Sequence, residues 1–292
     1  MRWIRPALVF AVTGAGVLLV QPPSYAWWIG GHKLCTEAAV KSLPEDMPEF
    51  FRKASLELAE MSAEPDNWKS QTTPRLRASE APEHFIDLEF LDGAKLPKDR
   101  PEYVKLMAEK KIDPYKAGFL PYALQEGTER LTLAFREYRD RMDKKLDTNS
   151  VQQRAIMYAG WLAHYCQDAG MPLHTTKNYD GRPQGEEKLA QKGIHARIDA
   201  YPEKHGLTVE LLKENLAAED LVDTWPAIVK FIETSHTKVD KCYELDKQGA
   251  FDTAPEKGRE LMLECARASA KLTLDLWYSA WKNSDPKRAT IR

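Results

Sequence analysis

What this chain lacks narrows it quickly. It has 292 residues but four cysteines, Cys35, Cys166, Cys242 and Cys265, and none has the close pairing of a zinc finger or ribbon. No stretch is repetitive or biased enough for a solenoid or a disordered tail, and glycine and proline are ordinary in number. No run of alternating β-branched residues appears, which argues against a sheet-based core. Neither sign of charge dominates: 42 basic residues face 44 acidic ones. That balance argues against a broad basic surface gripping nucleic acid by neutralising many phosphates. A metal site taking one phosphate at a time remains open. The hydrophobic content of 43% is enough for one sizeable core, so a single globular domain is expected.

The longest apolar run, Ala7 to Val20, has 14 residues. It falls short of the roughly 20 needed to cross a bilayer. Arg2 and Arg5 precede it and Pro-Pro-Ser-Tyr-Ala follows, the pattern of a cleaved secretory leader. Residues 1–26 are therefore expected to be removed and the domain to be 27–292, beginning Trp27-Trp28. No cysteine follows the run, so a lipid anchor is not expected. Without Arg2 and Arg5 the balance is 40 basic against 44 acidic, a net charge of −4. The expected destination is the periplasm or the exterior, with no membrane span in the mature chain and no stable protein partner.

What is there is mostly helix. Apolar residues recur three and four apart in 31–43, 48–61, 121–142, 151–168, 208–217, 225–245 and 258–281. Gly170 and Pro172 close the fourth of these. The fold class expected is all-α, one multi-helix domain with irregular loops at one end. In an oxidising compartment Cys242 and Cys265, on consecutive helical segments, are the best disulfide pair. Cys166 reads as a buried thiol.

The ligand-type residues form a pattern on this map. His32 opens the first helix, while Asp66 in AEPDNW and His84 in EHFIDLE fall in expected loops. His164 and Asp168 share a helix face, His174 follows the helix end, and His195 with Asp199 repeats the four-residue spacing. His205 and His236 have no carboxylate at ligand spacing and read as surface residues. Imidazoles and carboxylates at a cysteine-poor exported site suit zinc. Five histidines and three aspartates are too many for one tetrahedral ion and suit two or three. The plainer reading is a set of unrelated histidines, some capping helices and some buried.

The segments WWIGGH, PDNW, HFID, HYCQDAGMPLH and GIHARID resemble the zinc-dependent phospholipase C and single-strand-specific nuclease superfamily. The likeness runs from Trp27 to about Asp199 and more loosely to LWYSAW. It implies an all-helical exported enzyme with a three-zinc cleft. One ion would be held by Asp66, His84, His164 and Asp168, and a second by His174, His195 and Asp199. The third would take the α-amino group and carbonyl of Trp27, His32 and a bridging oxygen of Asp168. The reaction implied is phosphodiester hydrolysis, with hydroxide generated from a water whose pKa two close metals lower. Asp66 would orient that nucleophile or accept its proton.

The substrate is divided. Trp27 and His32 stand five apart, and the last carboxylate is Asp199, both as in the nuclease branch. GIHARIDAY and the C-terminal helix look more like the phospholipase branch. Between His84 and His164 the chain is longer than in either. Phe85, Trp68 and Tyr179 lie beside proposed ligands and could stack a base, although core packing accounts equally well for Phe85. A nuclease or nucleotidase is favoured, with phospholipase C as the alternative. A third reading is an exported zinc-binding protein without turnover.

Overall fold

The computed structural model describes residues 27–185 and 188–289. The expected leader, residues 1–26, lies outside them. Helices dominate: α1 (Ile29–Val40), α2 (Ser55–Asn67), α3 (Pro74–Glu80), α4 (Leu120–Asp143), α5 (Asn149–Gly170), α6 (Ile194–Asp199), α7 (Trp225–His236), α8 (Val239–Asp246) and α9 (Arg259–Asn283). Shorter helical turns fill the connections. Three-residue strands β1 (Arg182–Gln184) and β2 (Lys188–Ala190) pair antiparallel. No helix among the described residues is long and apolar enough to cross a membrane.

The periodic segments broke where local chemistry demanded it. Segment 48–61 is two helices, because Lys53 and Ala54 turn the chain between Arg52 and Ser55. Segment 225–245 divides at Thr237 and Lys238. Segment 208–217 keeps helix only over Val209–Lys213.

Two apolar cores share this one domain. The larger gathers α2, α4, α5 and the C-terminal half of α9, with Phe51, Phe135 and Trp277 meeting edge to face. The smaller gathers Trp27, Cys35, Met171, Ile194, Tyr243, Cys265 and neighbours. Cys242 and Cys265 both sit in it as free thiols, so the expected disulfide is not formed. Burial pushes both thiols up, Cys265 to about 12, and they pack as small apolar groups.

The central helix α5 lies between α2, α4 and α9. Gly160 makes its crossing with α2 possible: a β-carbon there would stand 2.2 Å from that of Met61. Five residues beyond Met61 is Asp66, and four beyond Gly160 is His164. A close helix crossing therefore brings two ligand-type residues together. Gly170 performs the same service against α9, where a β-carbon would lie 2.0 Å from the Ser269 hydroxyl.

Candidate metal centre

The last two turns of α5 are buried on every side, and so are His164 and Asp168. Gly170 ends the helix, Met171 is extended, and Pro172 starts a 3₁₀ turn over Pro172–Thr175 that presents His174. Asp66 is not in a loop as expected but in the last turn of α2, just after Pro65. That proline leaves no amide for the Met61 carbonyl, yet the turn closes through Trp68 and Lys69 amides onto Pro65 and Asp66. His84 ends a 3₁₀ turn over Ala81–His84. His195 and Asp199 sit on α6, whose start at Gly193 has φ +85°. Asp180 Oδ1 accepts from the amides of Gly193 (2.8 Å) and His195 (3.3 Å), fixing the entry of that helix.

Three of the five imidazoles are oriented by partners behind them. Gln167 donates to Thr36 Oγ1, which turns its Oε1 to His32 Nδ1 at 2.7 Å and aims His32 Nε2 at Asp66 and Asp168. His164 Nδ1 donates to the Ser62 carbonyl at 2.8 Å, and His174 Nδ1 to the His84 carbonyl at 2.5 Å. Their Nε2 atoms then point inward. His164 Nε2 lies 2.9 Å from His84 Nδ1 and 3.3 Å from Asp168 Oδ2. His174 Nε2 lies 2.9 Å from His195 Nε2, which is 3.5 Å from Asp199 Oδ2. Backbone carbonyls and amides orient metal-binding imidazoles in this way generally.

Three groups result: His32, Asp66 and His164; His84, His164 and Asp168; His174, His195 and Asp199. The ligand atoms within each lie within 4.8 Å of one another, and every residue is buried. The first two groups share His164, and His32 Nε2 also lies 3.7 Å from Asp168 Oδ1. All eight of the histidines and aspartates expected as ligands are therefore assembled. Trp27 is buried in the same corner, where its ring donates to the Gln167 carbonyl at 3.0 Å.

The electrostatics fit a cation. Burial, then the neighbouring His164, lowers His32 to about 4, and burial with Lys69 lowers His84 to about 3. Neutral imidazoles with inward nitrogens are donors to metal. Burial pushes Asp199 well up, and neither of its carboxylate oxygens has a hydrogen-bond partner among the described residues. Asp168 is held well below the ordinary carboxylate range: burial opposes this, but His164, His174 and His84 more than offset it. Orphaned carboxylates facing paired imine nitrogens are costly without a positive charge between them. The donor set therefore fits a metal ion.

A cleft of about 670 Å³ opens over His84, His174 and His195. Phe85 and Tyr179 are among its walls, and Tyr179 meets the His195 ring edge to face at 5.6 Å. Trp68 is placed elsewhere, edge-on to Trp161 in a neighbouring cavity. The sequence reading missed Lys69 and Asp87. Lys69 Nζ lies 2.6 Å from Asp66 Oδ1 and lines the cleft with Arg77 and Lys116. Burial, with Glu89 nearby, pushes the Asp87 carboxyl up to about 7. Each follows a ligand by three residues, and that spacing was the available signal. His236 is also more than a surface residue: half-buried, its Nδ1 donates to the Thr175 carbonyl at 2.9 Å, bracing the turn that carries His174. His205 is half-buried against the Tyr201 ring.

No family model matches the sequence, and no curated protein matches it. Among solved structures the fold is similar to the alpha toxin from Clostridium absonum, with a TM-score of 0.47 and 16% identity over 88% of this chain. The chain spans 65% of that toxin's length.

Proposed function

We propose that this chain is an exported phosphodiester hydrolase that holds three zinc ions and cleaves single-stranded nucleic acid or nucleotides. The observation that carries the reading is the assembly of three buried His/Asp groups, two of them sharing His164, beneath an open cleft. Structural zinc sites close with four protein ligands, whereas a cluster sharing its ligands beneath a cleft leaves room for substrate. This speaks against a mere zinc store. Bound zinc would supply charge against the phosphate and lower the pKa of water.

The protein's own groups have distinct parts in the reaction. Asp66, buried behind His84 and Lys69 of the cleft lining, orients the attacking water and takes its proton. Burial opposes ionisation of Asp66, but Lys69 and three histidines hold its carboxyl below its ordinary value, so it is ready as an acceptor near neutrality. The Lys69 ammonium beside it steadies a phosphate oxygen. Phe85 offers a ring for a base, and Asp87 hydrogen-bonds along the base edge. The cations Arg77 and Lys116 in the cleft wall, with Lys69 deeper beside Asp66, favour a polyanion over a single lipid head group. Removal of residues 1–26 completes the ligand set around His32 by freeing the Trp27 amine, which binds metal once deprotonated.

Bis-p-nitrophenyl phosphate with and without chelator tests hydrolysis, and elemental analysis tests for close to three zinc ions. Parallel incubation with single-stranded DNA and phosphatidylcholine tests the substrate. Release of phosphocholine without DNA cleavage would replace the nuclease reading by phospholipase C. Zinc binding with no diester turnover would leave a binding protein.

A further inference from the structure

Helix α3 has two faces. Pro74, Arg77 and Ala78 border the metal cleft, while Leu76, Ser79 and Glu80 border a second cavity of about 760 Å³. We propose that this second cavity binds an organic cation, an alkylated ammonium group carried on a larger molecule. The inference is independent of what the metal cleft hydrolyses.

The walls come first. Tyr158, Trp161 and Tyr165 recur on one face of α5, and Trp68 comes against them from the end of α2. Trp68 and Trp161 meet at 80° with centroids 4.9 Å apart, and Tyr158 is inclined 58° to Trp161 at 6.1 Å. Steeply inclined rings form a corner of π-faces, the surroundings that attract a weakly hydrated ammonium.

Charge points the same way. Three carboxylates and two guanidiniums line the cavity. Arg100 is taken by Glu83 at 2.5 Å and Glu126 at 2.8 Å, and Arg130 lies 3.4 Å from Glu126. That leaves Glu80, which is hydrogen-bonded to Tyr165 but has no lysine or arginine within ion-pair distance among the described residues. Burial and the adjacent Glu83 raise its carboxyl, a cost that a bound cation relieves. A phosphate-bearing ligand would meet the surplus negative charge instead. The volume exceeds that of a tetramethylammonium head, so the cation arrives with a body attached.

Calorimetric titration of the full chain with benzyltrimethylammonium chloride, at constant ionic strength, tests this. One saturable site is expected, binding about tenfold tighter than the neutral near-isostere 2-methyl-1-phenylpropan-2-ol. Glu80→Gln keeps the shape and removes the charge, and should weaken the cation about tenfold while leaving the alcohol unchanged. Trp68→Leu should weaken the cation too, and if that variant fails to fold, Glu80→Gln decides alone. Saturating cation should leave hydrolysis of bis-p-nitrophenyl phosphate unaffected. Equal affinity for the alcohol, an unchanged Glu80→Gln, or competition with the diester overturns the proposal. Vesicles of phosphatidylcholine against phosphatidylglycerol form a second arm: preference for the former assigns a lipid-borne ammonium, and soluble binding alone a free one.

Discussion

Helix α3 divides two cavities of similar size and opposite chemistry. On one side, five imidazoles and three aspartates are buried with their charges unbalanced until a cation arrives. On the other, six aromatic rings line a space in which most charge is already paired and one carboxylate is left. A two-turn helix can serve both because residues 74, 77 and 78 and residues 76, 79 and 80 point in different directions. The lesson is that polar burial, more than concavity, marks the reactive site. Dispersed aromatic packing makes an equally large hole without chemistry of its own.

The harshest test of that contrast is Asp168→Ala. Asp168 approaches four of the five imidazoles, so its removal should abolish zinc retention in two groups and cut diester hydrolysis at least ~10³-fold. Benzyltrimethylammonium binding across α3 should stay within about twofold, inside the usual error of independent sites. Loss of both functions in a folded variant would show the two cavities to be one.

A smaller effect is expected from one extra residue ahead of Trp27. It moves the terminal amine about 3.8 Å along the chain, beyond the roughly 2.0–2.1 Å of a zinc–nitrogen bond. Zinc content should fall by one ion and turnover by about 10–100-fold, the usual loss when a supporting ligand is disturbed. Equal zinc and equal turnover in both versions would remove the amine from the site.

The mildest test is Asp87→Asn in metal-free protein. The folded pKa of about 7 lies above the ordinary value of 3.8, so the native state holds the extra proton between them. Stability therefore falls as pH rises through that window, and above 7 the buried charge costs its full amount. The variant should melt higher than wild type at pH 8, by about 2–4 °C for each kcal/mol relieved. At pH 5 the gap should be smaller. A constant difference across pH would mean that Asp87 is solvated like any surface carboxylate.

Much of this was legible in residue spacing. The four-residue steps His164–Asp168 and His195–Asp199 predicted shared helix faces and found them, because helical pitch leaves little freedom over one turn. The helix expected over 151–168, found over Asn149–Gly170, and its stop at Gly170–Pro172 were equally plain. Asp66 was misplaced because proline signals a helix end, and here the helix absorbed Pro65 in its last turn. His236 was misjudged because its partner, the Thr175 carbonyl, belongs to a turn 61 residues away that no local pattern reveals. The Cys242–Cys265 pairing failed because adjacency of helices says nothing about whether thiols meet or merely fill space. The aromatic cavity was invisible as a whole: Trp68 was expected beside the ligands, and only the packing of α3 over α5 sets it with Tyr158 and Trp161 around one space.

Helix α9 has 25 residues, about 37 Å of rod at 1.5 Å per residue. Its first half packs in the smaller core and its second half in the larger, and it touches both α1 and α5. Every proposed ligand is translated before residue 200, yet the helices that aim His32 and His164 lean on a segment made some sixty residues later. A chain made only that far thus carries the eight proposed histidine and aspartate donors while lacking the strut that sets their spacing. Metal offered then meets a loose string of histidines, and the finished geometry waits for the final turns near Trp277 and Trp281.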